Sequence, residues 1–460
     1  MIPMTRPLLA LLAAAPLCAV AATAEPPLTL DEALAVAGRQ SHELAIARAD
    51  AGLAGADTLG AFAGLLPRLD FTTTAGRQFS GDTLGIQLVQ VVDPVSGAVR
   101  FEQQVVPVGS TSYEAYSLDL RLSQPLVDLA AWKQLAQARA GERAAARGFD
   151  ETRLTVAFDV TRRFYEVVKA TRSLAVLEKA AARSEELVAR ADALYAAGRA
   201  QKADTFSARV NLGNDRIAVE QARARLVQVR AELATALGRP GDAPVEVVAP
   251  AGLEGAGLPA GEPPPLESLL ATARQHRPSV AAAAAQIEAA DAAVGAATAG
   301  YLPVLSAQAT YGRSGTQLSG ADGVYGDPSR QYAATARLVL TWNLFAGRAT
   351  EAGAQRARLT ADKTRATAAR TLDGVARELT AARQAVVGQA RQVALAADNL
   401  GAAEQGLELA RQRLEAGLAS QLEVRDATLK LTQAELSLLQ ARIDHAVAAA
   451  DLNRAVGGAL

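Results

Sequence analysis

The two halves of this chain repeat one another, and such a duplication constrains a fold more than any local motif. "EALAVAGRQSHEL" from Glu32 resembles "SLLATARQHRPSV" from Ser268, an offset of 236, and Leu66-Pro67 matches Leu302-Pro303 at the same offset. "LRLSQPL" from Leu120 matches "LVLTWNL" from Leu338 at an offset of 218. Gly198, Asp204 and Gly238 match Gly417, Glu423 and Gly457 at 219. The drop from 236 to 218 places about 18 extra residues between the two predicted strands of the first half.

Each half reads in the same order. A helix of about 35 residues runs to Leu-Pro, where proline ends it. A strand, a loop and a second strand follow, and then a very long helix over about 129–195 in the first half. The chain turns at Gly198 or Gly417 and returns as another helix of about 35 residues. At 1.5 Å per residue the long helix spans roughly 100 Å, the length of two shorter helices laid end to end. The predicted organisation is a signal peptide over 1–24, a first repeat over 25–239, a Gly/Pro-rich linker over 240–265 and a second repeat over 266–460.

Residues 1–24 carry the marks of a secretory signal: Arg6, an apolar run from Leu8 to Leu17, and Ala22-Thr23-Ala24 as a cleavage site. The single cysteine, Cys18, lies within it, so no disulfide or cysteine metal site is expected. Beyond the signal, no stretch is expected to match the roughly 18 consecutive apolar residues of a transmembrane helix.

The predicted strands are 67–77, 115–125, 303–313 and 332–345. Their apolar positions alternate: Leu69 and Phe71; Tyr116, Leu118, Leu120 and Leu122; Leu305, Ala307, Ala309 and Tyr311; Ala336, Leu338, Leu340 and Trp342. Alternation keeps its phase across both repeat offsets, and a slip of one residue would invert every face. Strands of this length with one apolar face suit a transmembrane barrel, with Tyr116, Tyr311 and Trp342 as its aromatic girdle. A small soluble sheet with one buried face is the other reading. Closed membrane barrels need about eight strands or more, and an open edge cannot sit in lipid. The barrel would therefore be shared, with three copies giving twelve strands. Loops 78–114 and 314–331 would face outward, and "VVDPVSGAVRF" (91–101) suggests a hairpin beyond the membrane.

Two apolar series run along the last helix, Leu422, Leu429, Leu436, Ile443 and Val424, Leu431, Leu438. They lie roughly 200° apart around a helix. The first half repeats this in part, with Val210 and Ile217 on one series and Leu212, Val219, Leu226 and Leu233 on the other. A helix that is apolar on opposite flanks has a neighbour on each side, as staves have in a tube. An ordinary antiparallel bundle is the competing reading. Aromatic residues make up only 4% of the chain, which favours a thin helical wall over a thick core.

These features together resemble the TolC-like outer-membrane efflux family. The most specific likeness is in the turn segments "LYAAGRAQKADTFSARVNL" (194–212) and "RLEAGLASQLEVRDATLKL" (413–431). The resemblance implies a homotrimer in outer-membrane lipid: a mixed fold with four transmembrane β-strands per chain, completed as a twelve-stranded barrel and continued by a long α-helical barrel in the periplasm. It also implies a periplasmic adaptor and an inner-membrane transporter as partners, in drug efflux or type I secretion. Asp204, Glu423 and Asp426 would form a pore constriction at the periplasmic tip, while Gly198, Arg199, Gly417 and Leu418 would meet the adaptor. The ordinary alternatives are solvated acids at helix starts, where negative charge is favourable, and glycines that only permit a turn. The sequence departs from the family's tyrosine and arginine latch, with Leu414 and Ala419 at those positions. A pairing of Arg199 with Asp204, or with a neighbour's acid, would be a substitute.

No enzyme chemistry is expected. His42, His276 and His445 are isolated, without metal-ligand spacing, and read as solvated or capping residues. A phosphate-binding loop is missing, so energy would come from a partner. No cofactor is implied. A net charge of −1 gives no footprint for nucleic acid. The alternative function is a trimeric adhesive surface protein with a shared barrel, but such proteins keep their strands together at the C-terminus, whereas here they form two internal pairs.

Overall fold

The computed structural model describes residues 27–199, 201–250, 263–320, 323–329, 332–416 and 418–458. The predicted signal with Cys18, linker residues 251–262 and Gly417 lie outside them. In chain order the elements are α1 (Leu30–Gln40), α2 (His42–Ala63), β1 (Arg68–Ser80), β2 (Thr83–Val92), β3 (Val99–Val108), β4 (Thr111–Val127), α3 (Leu129–Ala196) and α4 (Lys202–Ala236). The second half supplies α5 (Leu266–His276), α6 (Pro278–Thr298), β5 (Val304–Gly315), β6 (Tyr332–Thr341), α7 (Ala349–Glu415) and α8 (Gln421–Val456). Two compact units form. One holds residues 46–152 and 270–378, and the other the described parts of 1–45, 153–269 and 379–460.

The first helix of each repeat, expected as one piece, is broken in two. Ser41 separates α1 from α2 with extended backbone (φ −58°, ψ 127°). Arg277 separates α5 from α6 in the same way (φ −73°, ψ 122°), and Pro278 opens α6. Proline pushes the residue before it out of the helical region and suits a first helical position, where no amide donor is needed. Ser41 and Arg277 stand one repeat offset apart. At the first break the neighbouring chain makes room: Gly238 has φ +78°, and a Cβ there would lie 2.1 Å from the Gln40 carbonyl oxygen. At the second, the buried Arg277 guanidinium reaches Glu378 at 2.6 Å and Glu151 at 3.3 Å. The Ser279 amide donates to Glu151 at 3.0 Å.

The sheet has the order β1-β4-β5-β6, antiparallel throughout. β4 runs through Pro125, beyond the expected end, because a bulge between Pro125 and Val127 shifts the register. Bulges are among the few places where a strand tolerates a residue without an amide donor. Register brings the alternating residues into rows. Leu69, Leu122, Ala309 and Ala336 form one row, and Phe71, Leu120, Tyr311 and Ala334 the next. The opposite face carries Asp70, Arg121, Thr310 and Thr335, then Arg68, Ser123, Gln308 and Arg337. It is knitted by Thr310–Thr335 at 2.6 Å, Arg337 to Gln308 at 3.1 Å and a Thr74–Ser117 contact. Over these rows one face is apolar across all four strands and the other polar; one row on, Thr73 and Arg313 join Leu118 and Tyr332 on the apolar face.

The long first loop contains the hairpin β2–β3, and Asp93 caps its turn by accepting from the amides of Val95 and Ser96. The second loop folds onto the sheet. Arg313 is buried and donates to the carbonyls of Gly323, Gly326 and Asp327.

Among the helices, Pro278–Tyr301 is long and apolar enough to cross a membrane, contrary to expectation. Its hydropathy comes from alanine. It also carries Glu288, paired with Arg143, and Asp291, 2.6 Å from Arg365. Such pairs tie it to α3 and α7.

Candidate functional site

Both long helices end in the same turn. At the end of α3, the Gly198 amide donates to the Tyr195 carbonyl and the Arg199 amide to the Leu194 carbonyl, each at 2.9 Å. This pattern satisfies carbonyls that a helix end would leave bare, and it needs a left-handed residue, which Gly198 supplies with φ +69°. One repeat offset later, the Leu418 amide donates to the Arg413 carbonyl at 2.8 Å.

The predicted constriction acids sit in the first two turns of the return helices, each with a local partner. Asp204 accepts from the Gln201 amide at 3.1 Å, which caps α4. Ser420 caps α8 by accepting from the Glu423 amide, and the Glu423 carboxylate lies 3.5 Å from Arg413. Asp426 pairs with Lys430 at 2.7 Å. Among the described residues Arg199 makes no ion pair with Asp204, because that carboxylate is turned to the helix start. Asp204 and the neighbours of Glu423, Gln421 and Leu422, line one cleft of about 200 Å³ between α3, α4 and α8.

At the floor of this cleft lies a cluster that sequence reasoning missed. Arg425 is buried and grips both Asp215 carboxylate oxygens, at 2.6 and 2.9 Å. It also donates to Ser184 Oγ at 2.8 Å, and Ser184 donates in turn to Asp215. Close by, Arg183 meets Glu435 at 3.2 Å. Both contacts tie α8 of the second repeat to α3 of the first. "EVRD" in the sequence reads as a solvated helix start, and nothing local marks its arginine as buried.

The two apolar series of α8 have different fates. Val424, Leu431 and Leu438 are 3%, 6% and 6% exposed, packed with Leu187, Leu400 and Leu407. Leu422 and Leu429 are 75% and 48% exposed, whereas Ile443, further along the same series, is buried at 2%. α4 shows the same division, with Val219, Leu226 and Leu233 buried and Val210 and Ile217 exposed. His445 of α8, expected to be solvated or capping, is buried. Burial pushes its pKa down, and its Nδ1 has no hydrogen-bond partner.

On the sheet, Tyr311 stacks on Tyr332 with ring centroids 6.0 Å apart, and the Tyr116 hydroxyl donates to Glu114 at 2.8 Å. Trp342 lies just past β6, and its indole donates to the Tyr301 carbonyl at 3.1 Å. Tyr332 was not singled out by sequence, because it opens its strand at the loop boundary.

A duplicated strand–helix chain, with one sheet face largely apolar and the other polar, suits the wall of a membrane channel. Its fold is that of solved outer-membrane channels. CmeC of Campylobacter jejuni superposes with a TM-score of 0.76 at 18% identity, covering 93% of this chain and 85% of that one. The open state of MtrE from Neisseria gonorrhoeae gives 0.75 at 19% identity, covering 93% and 88%. VceC of Vibrio cholerae gives 0.73 at 18% identity, covering 93% and 96%. No curated protein sequence matches. The outer membrane efflux protein family matches residues 33–239 and again 269–458, once per repeat. The chain belongs to that family. It is an outer-membrane protein and not an enzyme.

Proposed function

We propose that three copies of this chain form a passive exit duct of a tripartite efflux system, gated at the helix-turn tip. The observation that carries this reading is the four-stranded sheet. Its apolar face crosses all four strands in the rows of Leu69 and Phe71, yet among the described residues β1 and β6 are each paired on one side only. Backbone groups left open in lipid cost several kcal/mol each. Joining β1 of one copy to β6 of the next, three times over, closes a twelve-stranded barrel with the polar face around water.

Tyr311 and Tyr332 then stand near one rim and Trp342 near the other. Tyr332 and Trp342 are ten positions apart. That is about 33 Å of strand, or about 25 Å of height at a strand tilt of roughly 40°, which fits the apolar band of an outer-membrane barrel. The exposed series Leu422/Leu429 and Val210/Ile217 supply the contacts between neighbouring helices of a tube.

At the tip, Asp204, Glu423 and Asp426 from three copies would surround the channel entrance, concentrating cations and repelling anions. The turns at Gly198-Arg199 and Gly417-Leu418 are the surface for a periplasmic adaptor linked to an inner-membrane transporter. Type I secretion would use the same duct. The test is detergent extraction followed by planar-bilayer recording. A heat-sensitive trimer that conducts ions is expected, and a water-extractable monomer without conductance would sink the reading.

A further inference from the structure

We propose that the β2–β3 hairpins of three copies pack against one another over the outer mouth of the channel. The inference rests on the trimeric reading above.

The hairpin continues the β1–β4 ribbon without losing register. Ser80 faces Thr111 and, three residues on in each arm, Thr83 faces Val108. Neither arm gains or loses a residue, so the face of each position carries over from the sheet into the root of the hairpin. On the sheet, the pairs Asp70/Arg121, Thr72/Asp119 and Thr74/Ser117 belong to the polar face. Followed past Gly81-Asp82, the same face carries Leu84/Pro107, Ile86/Val105 and Leu88/Gln103. The opposite face carries Thr83/Val108, Gly85/Val106, Gln87/Gln104 and Val89/Glu102, valines interleaved with polar residues. The face that is polar in the sheet therefore becomes the more apolar one in the hairpin.

Below the change, apolar side chains point towards lipid; above it, they point towards the water-filled side. They are bare in one chain, with Leu84, Ile86 and Val105 at 77%, 70% and 60% exposure. An exposed apolar cluster of this kind marks a contact surface. The hairpin stands beyond the Tyr311/Tyr332 rim, since Ser80 and Thr111 already lie past the Leu118–Arg313–Tyr332 row, so lipid does not cover this cluster. What the inward side does meet, in a closed ring of three, is the same face of the other two copies. Three such faces would narrow the outer mouth with an apolar constriction, which resists ion passage by dewetting.

Disulfide trapping tests this in a Cys18→Ser background, which contains no other cysteine. In trimers with Ile86→Cys, mild oxidation is expected to give disulfide-linked dimers and leave one thiol per trimer free. Gln87→Cys, on the opposite face, should give none. Ile86→Asp with Val105→Asp should raise single-channel conductance about twofold or more while trimers persist, since charge rewets an apolar constriction. Intact trimers in which Ile86→Cys stays uncross-linked, or in which it reacts with a lipid-soluble maleimide, would overturn the proposal. So would equal cross-linking through Gln87→Cys. If the wild-type chain proves monomeric, the trimeric reading fails first and the hairpin contact falls with it.

Discussion

Arg425 of α8 holds Asp215 of α4 through two hydrogen bonds, 2.6 and 2.9 Å long, and so joins the last helix of the second repeat to the return helix of the first. Their side chains are 11% and 15% exposed. Removing one partner leaves a charge with little water to solvate it.

Arg425→Ala or Asp215→Ala should each destabilise the helical unit by about 3–5 kcal/mol, whereas Arg425→Met with Asp215→Leu should cost far less. Thermal unfolding of the purified protein in detergent, followed by circular dichroism, measures this. Equal losses for the single and double variants would contradict it.

The tip acids are a different case. The Arg413–Glu423 pair is half exposed, with side chains 50% and 48% accessible, and is worth at most about 1 kcal/mol. Glu423→Gln with Asp426→Asn should leave the melting temperature nearly unchanged and lower the preference for cations, read from reversal potentials in a salt gradient. Asp204→Ala should raise conductance and also fray the start of α4, since its carboxylate caps Gln201. The cap alone is worth about 1 kcal/mol.

Buried His445 makes stability fall with acid. Burial disfavours the imidazolium, so the folded pKa lies below the ordinary 6.5. The unfolded chain then takes up the proton first. Stability is full above about 6.5 and is lost as the pH falls through that value towards the folded pKa. Urea titrations across this range should show the loss in wild type and a smaller one in His445→Gln.

Two glycines should respond oppositely to alanine. Gly238 has φ +78°, and a Cβ there would strike the Gln40 carbonyl, so Gly238→Ala should destabilise by more than about 1–2 kcal/mol. Gly213 lies inside α4 with nothing within 4 Å of an added Cβ. Gly213→Ala should stabilise by about 0.5–1 kcal/mol. Melting curves of the two variants decide the point.

The strands were legible because alternation is a local property that register turns into faces. Leu69, Leu122, Ala309 and Ala336 were each apolar in phase, and pairing placed them in one row. The turn at Gly198 was legible because only a left-handed residue closes a helix that way. The break at Ser41 was not, since no proline marks it, whereas Pro278 marks the one at Arg277 and only the acids that hold that arginine, Glu151 and Glu378, come from distant helices. Tyr332 was hidden at a loop boundary. The two series on α8 were visible as a pattern, but not which one the chain would bury itself.

By itself, then, the sequence determined the duplication, the order of elements, the two faces of the sheet and the turns, since each follows from spacing along the chain and the reach of a peptide unit. The tertiary structure decided which charges are buried, where the first helices break and where the hairpin's apolar face lies. Those depend on groups brought together from separate elements, and the free energy of a charge or an apolar face is set by what surrounds it in space.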